Sequence, residues 1–269
     1  MYVWGKALSF LYYELAHKNR QIALNNIEKA LGNKIPRKQR IIIARDSFQT
    51  MGHIILDTLR FSNFSVEKTK KTIKLEGIEN LQKALKKGKG VIAASAHLGS
   101  FTAMGFGLAA RGYKTSFVAR HARNKGVERE FLSLSRKVGQ KVIFSRPMHT
   151  CMRRCIKTLD SDEILIIELD QNFGTEGVEI KFFNQLAMVT SVPVKLAMST
   201  QAAIVPMFIV RISEFKHIIK IEPEIELKRD NDSSELIREN LQKVNAVIES
   251  YIRKYPGQWV NWIHKAWDV

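Results

Sequence analysis

The spacing of apolar residues in the first quarter of the chain predicts helices. From Arg37 onward, apolar residues recur at alternating steps of three and four, at positions 41, 44, 48, 51, 55 and 59. This spacing places them on one face of a helix, so residues 38–61 are predicted to form an amphipathic helix. An earlier helix over residues 21–31 is expected to end at Gly32, and Pro36 separates the two helices. Residues 1–62 are therefore interpreted as a helical N-terminal segment.

After Gly90 the pattern changes to short apolar runs of the kind that form buried strands. Such runs occupy residues 91–96, 116–119, 141–144, 164–169 and 204–210, with segments between them long enough to hold helices. This alternation predicts an α/β fold with a central mixed, mostly parallel sheet flanked by helices. Residues 216–221 and 225–227 are predicted to be later strands on either side of Pro223, antiparallel and near an edge.

A final helix is expected near the end of the chain. Asp232 and Glu235 have the spacing of a capping pair, and apolar residues at positions 237, 241, 244, 248 and 252 form one stripe after it. The sequence has no repeat, linker or low-complexity tract. We therefore expect a single domain over residues 1–269, with an α/β core and C-terminal helix over residues 63–269.

Composition excludes two classes of protein. Hydrophobic residues make up 45% of the chain against 26% charged residues, which is the balance of a packed globular protein and not of a disordered one. Cys151 and Cys155 are the two cysteines. Two cysteines cannot form a disulfide scaffold and supply too few ligands for a zinc site, so we expect no metal and a reducing setting.

The net charge favours acidic partners. Lysine and arginine total 43 against 26 acidic residues, which gives a charge of +17. Anionic lipid, acidic carrier proteins and nucleic acid all fit such a charge, as does a surface kept basic for solubility. No RNA- or DNA-binding module is recognisable in the sequence, so nucleic acid is not the expected partner.

The opening segment combines aromatic and apolar residues with nearby basic ones. It contains Val3, Trp4, Ala7, Leu8, Phe10, Leu11, Tyr12, Tyr13 and Leu15. This composition suits a lipid headgroup interface, and it equally suits a first helix that packs on the body. No apolar run approaches the roughly 18 to 20 residues of a spanning helix, and the start lacks the apolar core of a signal peptide. We do not expect this chain to cross a bilayer.

Two titratable residues follow buried strands directly. His97 comes after the run at 91–96, and Asp170 comes after the run at 164–169. In α/β proteins, catalytic and binding groups gather at the carboxyl ends of strands. A neutral, exposed imidazole can deprotonate a hydroxyl group, usually with a carboxylate on its other nitrogen. A structural His97, and an Asp170 that caps the turn over residues 171–174, remain alternatives.

The stretch over residues 95–120, SAHLGSFTAMGFGLAARGYKTSFVAR, resembles the late acyltransferases of lipid A biosynthesis, within the wider lysophospholipid acyltransferase group. Weaker matches, in the same order as in the family, lie before this stretch at residues 19–31 and after it at residues 170–171, 182–183, 204–206 and 258–267. The resemblance implies a glycerol-phosphate-acyltransferase-like fold with His97 as general base. The base would activate an acceptor hydroxyl for attack on the thioester of an acyl carrier protein or acyl-CoA, without a cofactor.

The resemblance also implies an acceptor and a location. The acceptor would be a lipid A precursor, or a related glycolipid or lysophospholipid. The protein would lie peripherally at the cytoplasmic face of a bacterial inner membrane. There its basic surface would meet the carrier protein and anionic headgroups.

One position departs from the family pattern. The family has an acidic residue five positions after the histidine, and this chain has Thr102 there. A threonine hydroxyl can accept a hydrogen bond from the imidazole, so Thr102 stays a catalytic candidate, but it adds no negative charge. Either Asp170 or Glu168 replaces the missing carboxylate, or the chain is a catalytically degenerate lipid-binding member of the family.

Five further residues are candidates for substrate binding. Arg120, Arg146 and Arg154 could bind lipid phosphate through their guanidinium groups, with Arg120 first because it matches the family's strand end. For each arginine, a solvated surface position is the alternative. Gly99 and Ser100 follow His97 in a small-residue step that can turn into a helix.

The run Gly105-Phe-Gly107 to Ala110 imitates a dinucleotide-binding fingerprint. The fingerprint must follow its strand at once, whereas these glycines come well after Ala96. We expect them to allow close helix packing instead. His121 and His149 lie in basic, polar segments, so a surface role is expected for both.

Overall fold

A computed structural model describes residues 2–32, 35–229 and 233–264, with side chains from Ser9 onward. The ten α-helices found in these ranges are α1 Tyr2–Leu15, α2 His17–Leu31, α3 Arg37–Phe61, α4 Val66–Thr72, α5 Ile78–Leu85, α6 Met104–Ala109, α7 Lys125–Lys137, α8 Met148–Asp160, α9 Val192–Thr200 and α10 Ser234–Lys254. The strands found there are β1 Ile73–Glu76, β2 Val91–Ser95, β3 Thr115–Ala119, β4 Lys141–Phe144, β5 Ile164–Glu168, β6 Val178–Phe182, β7 Gln185–Val189, β8 Ala203–Ser213 and β9 Lys216–Ile221.

Seven of these strands form one sheet in the order β1-β9-β8-β2-β5-β3-β4, and β6 and β7 form a separate antiparallel hairpin. Strands β8, β2, β5, β3 and β4 run parallel to one another, whereas β9 is antiparallel to β8 and parallel to β1. The carboxyl ends of the five parallel strands therefore meet at one edge of the sheet. Side chains that follow these strands are brought together at that edge.

Both faces of the sheet are buried, which explains why its strands read as continuous apolar runs. Ile92 and Ala94 of β2 belong to one core cluster, which also contains residues of α2, α3 and α10. Val91 and Ala93, which point the other way, belong to a second cluster with residues of α5 and α6. Because the N-terminal helices share the first cluster, they are packed on the body of the protein.

The prediction of an α/β fold with a mostly parallel, helix-flanked sheet is confirmed. The helix predicted over residues 38–61 is α3, and the helix predicted over 21–31 is part of α2, which ends at Gly32 with φ +75°. Strand β9 is antiparallel to β8 and lies one strand from the edge. The prediction of a strand at residues 225–227 is wrong. Although the Ile225 amide donates to the Ile204 carbonyl, this segment after Pro223 forms no ladder.

The stripe that predicted α3 is only partly its buried face. Ala44 and Phe48 are buried, but Ile55 is 64% exposed and Leu59 is 41% exposed. In the same half of α3, polar side chains occupy most of the buried positions, among them Asp57, which is fully buried, while Phe61 is buried at the end of the helix. Apart from Phe61, the carboxyl-terminal half of α3 therefore buries polar side chains and exposes apolar ones.

Two predictions at the chain ends lie partly outside the described residues. In the opening segment, the side chains of Val3, Trp4, Ala7 and Leu8 are not among those described, nor is Asp232 of the predicted capping pair. Helix α10 begins after Ser233, whose hydroxyl accepts a hydrogen bond from the Leu236 amide at 3.2 Å.

Candidate active site

The register between two central strands places His97 beside Asp170. Ser95 of β2 pairs with Glu168 of β5, and the Leu169 amide donates to the Ser95 carbonyl. Continuing each strand by two residues keeps the side chains on the same face and brings His97 opposite Asp170. His97 Nδ1 lies 2.8 Å from Asp170 Oδ1. The two strand-end residues singled out by the sequence therefore form a histidine–carboxylate pair.

Asp170 is held by a set of donors that leaves it little freedom. Its Oδ2 atom accepts hydrogen bonds from the His97 backbone amide at 2.9 Å, from Trp259 Nε1 at 2.6 Å and from Asn261 Nδ2 at 3.0 Å. The Asp170 side chain is fully buried, whereas 20% of the His97 side chain is exposed. A carboxylate with this many donors is fixed in place and fixes the imidazole in turn.

The C-terminal segment clamps the loop that carries His97. The Val260 amide donates to the His97 carbonyl at 3.1 Å, and the Gly99 amide donates to the Gln258 carbonyl at 2.9 Å. Gly99 has φ +57°, and a Cβ atom there would lie 2.1 Å from the Ile209 carbonyl oxygen. The position therefore requires glycine, because a side chain would collide with β8.

The pair is arranged to make a strong base. Burial disfavours the charged imidazole, but the charge and hydrogen bond of Asp170 outweigh it, so the pKa of His97 is raised above its ordinary value. Burial likewise opposes ionisation of Asp170, but the charge of His97 and the bonds from His97 and Trp259 outweigh it and lower the pKa of Asp170. Asp170 is thus the anion, and an Nδ1–H···Oδ1 bond leaves Nε2 of a neutral His97 free to accept a proton.

An apolar cavity of about 280 Å³ opens beside His97. The ring of Phe101 packs edge-on to the imidazole with centroids 4.7 Å apart. The apolar walls come from strands β3 and β5, the loop after β5 and helices α8 and α9, and they include Phe117, Val118, Ala119, Met148, Ile167, Phe173 and Val192. Such a cavity can hold a hydrocarbon chain with one end at the histidine.

A few polar groups also line the cavity. Gln171 lines the cavity, and its Nε2 atom lies 3.4 Å from Nε2 of His97, the ring nitrogen that Asp170 does not contact. Glu168, the last residue of β5, lines the cavity as well, and burial raises its pKa to about 7. Asp170 and Glu168 were the two candidates for the missing acid, and the structure places Asp170 on the imidazole.

Thr102 and Ser100 face a different part of the molecule. The Thr102 hydroxyl lies 2.6 Å from the Thr58 hydroxyl of α3, so its described hydrogen bond is not to His97. Ser100 is fully buried and bonds to Asp57, which also binds Arg211 and, at 3.0 Å, His217 Nε2. Gly99 and Ser100 therefore shape the loop after His97 and are not part of the cavity lining described above.

The three candidate arginines occupy different sites. Arg120 follows β3 and lines the cavity, with its guanidinium 5.4 Å from the centre of the Phe173 ring. Arg146 is exposed and forms an ion pair with Glu176 at 2.8 Å in a neighbouring depression that Arg120 also lines. Arg154 is exposed on α8 and is not part of either lining. Of the three, Arg120 is the one placed beside His97.

Sequence reasoning did not select Trp259, Asn261 or Gln171 as site residues. Trp259 and Asn261 reach Asp170 from a segment about 90 residues further along the chain, as the sequence separations of 89 and 91 show. The resemblance at residues 170–171 and 258–267 was the available signal. Gly105 and Gly107 pack as expected, since added Cβ atoms would collide with the Gln140 and Ile219 side chains.

Two comparisons with known proteins indicate the family of this chain. The family model described as bacterial lipid A biosynthesis acyltransferase matches residues 2–268. The chain is also 24% identical over 131 residues to a phosphatidylinositol mannoside acyltransferase from Mycobacterium tuberculosis (strain CDC 1551 / Oshkosh). That match spans 48% of this chain and 42% of the relative, so it covers less than half of either protein. The family match covers nearly the whole sequence, and the chain belongs to the bacterial lipid A biosynthesis acyltransferase family.

Proposed function

We propose that the protein transfers a fatty acyl group from a thioester donor to a hydroxyl of a lipid A precursor or a related glycolipid or lysophospholipid. The observation that carries the proposal is the His97–Asp170 pair, with Nδ1 and Oδ1 2.8 Å apart, whose His97 lines an apolar cavity. A base and a hydrocarbon-sized space are the two parts that acyl transfer to a lipid hydroxyl requires.

The proposed reaction uses Nε2 of His97, the ring nitrogen that Asp170 does not contact. His97 Nε2 takes the proton of the acceptor hydroxyl as its oxygen attacks the thioester carbonyl carbon, which gives a tetrahedral intermediate. The C–S bond then breaks, and His97 returns the proton to the leaving thiolate, so the products are an ester and a free thiol. Asp170 stabilises the imidazolium that exists between the two steps and holds its orientation.

The fixed carboxylate supports an enzyme rather than a degenerate lipid binder. The absence of an acid at position 102 was the main argument for a degenerate protein. Asp170 supplies a buried, multiply bonded carboxylate on Nδ1, which is what a histidine base needs for orientation and charge support. Arg120, in the same cavity, adds a positive charge close to the place where the oxyanion would form.

A membrane surface is the proposed site of action. Helix α1 exposes Phe10, Leu11 and Leu15, and α3 exposes Ile55 and Leu59. No helix in the described ranges is both long and apolar enough to cross a bilayer. Exposed apolar side chains on a strongly basic protein support binding to an anionic lipid surface, at the cytoplasmic face of the inner membrane in this proposal.

The acyl donor in this proposal is an acyl carrier protein or acyl-CoA, both of which are acidic and complement the charge of +17. No step of the proposed chemistry needs a cofactor. The Mycobacterium relative is named for phosphatidylinositol mannoside, so mannosylated lipids belong in the acceptor panel beside lipid A precursors.

The test measures acyl transfer from both donors to this panel. Replacing His97 with alanine should abolish transfer while leaving binding to anionic vesicles unchanged, because the imidazole does chemistry and the surface does binding. His149→Ala is the matched control, since His149 is an exposed histidine of α8 outside the cavity lining. Transfer retained by His97→Ala, or absent from the parent with every donor and acceptor, would reject the proposal.

A further inference from the structure

Glu168 is a carboxyl group in the wall of the cavity, and one of its two oxygen atoms has no hydrogen-bond partner among the described residues. It ends β5, two residues before Asp170, and it lines the same cavity as His97. Its Oε1 atom is shielded from solvent and has no hydrogen-bond partner among the described residues. Leaving a buried polar atom unpaired destabilises the protein, so a bound group that pairs with it gains affinity.

The charges around Glu168 come from the ends of three neighbouring strands. His97 follows β2, Asp170 follows β5 and Arg120 follows β3, and the Cys151 and Cys155 thiols of α8 line the same cavity. Most of the remaining wall is apolar. Burial is the main cause that raises the pKa of Glu168 to about 7, and the nearby Asp170 charge adds to it against the opposing effect of His97. A large share of Glu168 is therefore protonated at neutral pH.

We propose that the protonated Glu168 carboxyl donates a hydrogen bond to the carbonyl oxygen of the bound acyl group. This inference rests on the proposed function, because it assumes that the cavity receives an acyl donor. In the resting protein Glu168 Oε1 has no hydrogen-bond partner among the described residues, and the acyl carbonyl supplies an acceptor for a proton carried on that atom. The substrate recognised is thus a fatty acyl thioester whose carbonyl lies at the apolar cavity wall next to His97.

The chemical role is that of a neutral oxyanion donor. When the acceptor oxygen attacks, the carbonyl oxygen gains negative charge, and a donor already in place stabilises it without water. The Glu168 proton stays on the carboxyl throughout, while His97 carries the transferred proton. A carboxylic acid kept neutral by an apolar site can act in this way, whereas the ionised form would repel the oxyanion.

The first test measures binding with two matched probes and needs no variant. One probe is a fatty-acyl amide of pantetheine, which keeps the carbonyl but cannot transfer the chain. The other is the S-alkyl pantetheine of equal length, which lacks the carbonyl. Between about pH 6 and pH 8, the affinity for the amide should fall about tenfold as Glu168 ionises. The S-alkyl probe is the control for titration of His97 in the same cavity. Because it has no carbonyl to accept the Glu168 proton, its affinity should show no such fall.

Two substitutions sharpen the result. Glu168→Gln keeps a donor that does not titrate, so the amide should bind with the same affinity at both pH values. The turnover number of the parent should decline above pH 7 as Glu168 ionises, and the turnover number of Glu168→Gln should show no such decline. Glu168→Leu has no donor, so it should bind the amide weakly at either pH while binding the S-alkyl probe as the parent does.

The outcomes separate this inference from the proposed function. If neither probe binds the parent protein at any pH, the cavity is not an acyl site and both proposals are wrong. If both probes bind with the same pH dependence, or if Glu168→Leu binds the amide as well as the parent does, Glu168 does not contact the carbonyl. The acyltransferase proposal would then stand and the inference about Glu168 would be rejected.

Discussion

Replacing Asp170 with asparagine tests the central pair of the site. Asparagine has the shape of aspartate, but it has one acceptor oxygen and an NH₂ group that donates. Three donors converge on Oδ2, namely the His97 amide, Trp259 Nε1 and Asn261 Nδ2. The amide oxygen of the introduced asparagine will therefore occupy the Oδ2 position, which turns its NH₂ group towards His97 Nδ1.

The consequence for the imidazole is a change of tautomer. Facing a donor, Nδ1 must act as acceptor, so the proton of the neutral ring moves to Nε2, the atom that has to take the proton of the acceptor hydroxyl. In a comparable catalytic triad the same change lowers the turnover number by about four orders of magnitude. This corresponds to roughly 5 kcal/mol of transition-state stabilisation at about 1.4 kcal/mol per decade. The cost in stability should be smaller, about 1 to 3 kcal/mol, because the three bonds at the second oxygen are retained.

The assay is steady-state acyl transfer under saturating donor and acceptor, with thermal unfolding measured beside it. Asp162→Asn is the matched control. Asp162 precedes β5 at the opposite edge of the sheet, where its Oδ1 accepts from the Gly90 amide at 3.1 Å, so the same chemical change there should leave the turnover number unaltered.

A third readout, beside turnover and thermal unfolding, is the pH profile of Asp170→Asn. Without Asp170 the pKa of His97 falls, so the residual activity should persist to lower pH than in the parent. If Asp170→Asn keeps more than about a tenth of the parental turnover number, the tautomer argument is wrong.

Three further perturbations have defined outcomes. Thr102→Glu should not raise the turnover number, because Nδ1 is already occupied by Asp170 and the new carboxylate would face Thr58; a gain of about tenfold or more would mean that the pair is incomplete. Asp57 has its pKa lowered to about 2, since the bonds and charges of His217 and Arg211 outweigh burial. Its contribution to stability is present above about pH 4 and is lost as pH falls towards 2, so acid unfolding of Asp57→Asn should show a weaker dependence over that range, and an identical dependence would contradict this assignment. Vesicle binding should require anionic lipid and weaken as salt rises, and equal binding to neutral vesicles would show that charge does not drive it.

The sequence predicted the class of fold and offered Asp170 and Glu168 as carboxylate partners for His97, but it could not choose between them. His97 and Asp170 could be selected because each follows a continuous apolar run, which is what a strand buried on both faces looks like. Their contact depends on β2 and β5 being neighbours with Ser95 opposite Glu168. Sheet order and register arise from long-range packing, and nothing in either run specifies them.

Strands β1, β6 and β7 escaped prediction for a related reason. They are four or five residues long, and their exposed positions carry charged or polar side chains such as Lys74, Glu179 and Gln185. β1 and β6 alternate apolar and polar residues strictly over four and five residues, as half-buried strands do, but the prediction rested on continuous apolar runs, which these segments lack. The polar cluster of Asp57 with Ser100, Arg211 and His217 was hidden as well, because each residue by itself resembles a surface residue.

Under the proposed function, that polar cluster accounts for how the site can work with threonine at position 102. A histidine base needs its loop held still and its Nδ1 bonded to a carboxylate, and in this protein the two requirements are met by different elements. On one side, Asp57 of α3 binds Ser100, Arg211 of β8 and His217 of β9, which fixes the loop after His97 to the sheet and to the N-terminal helices.

On the other side, residues 258–261 hold both the His97 backbone and the Asp170 carboxylate. Neither set of contacts passes through Thr102, whose hydroxyl is bonded to α3. An acid at position 102 would come from the same loop as His97 and would move with it, whereas Asp170 comes from the neighbouring strand and is fixed by its own donors. The orientation of His97 is therefore set by the sheet, and Thr102 is free to serve the packing of α3.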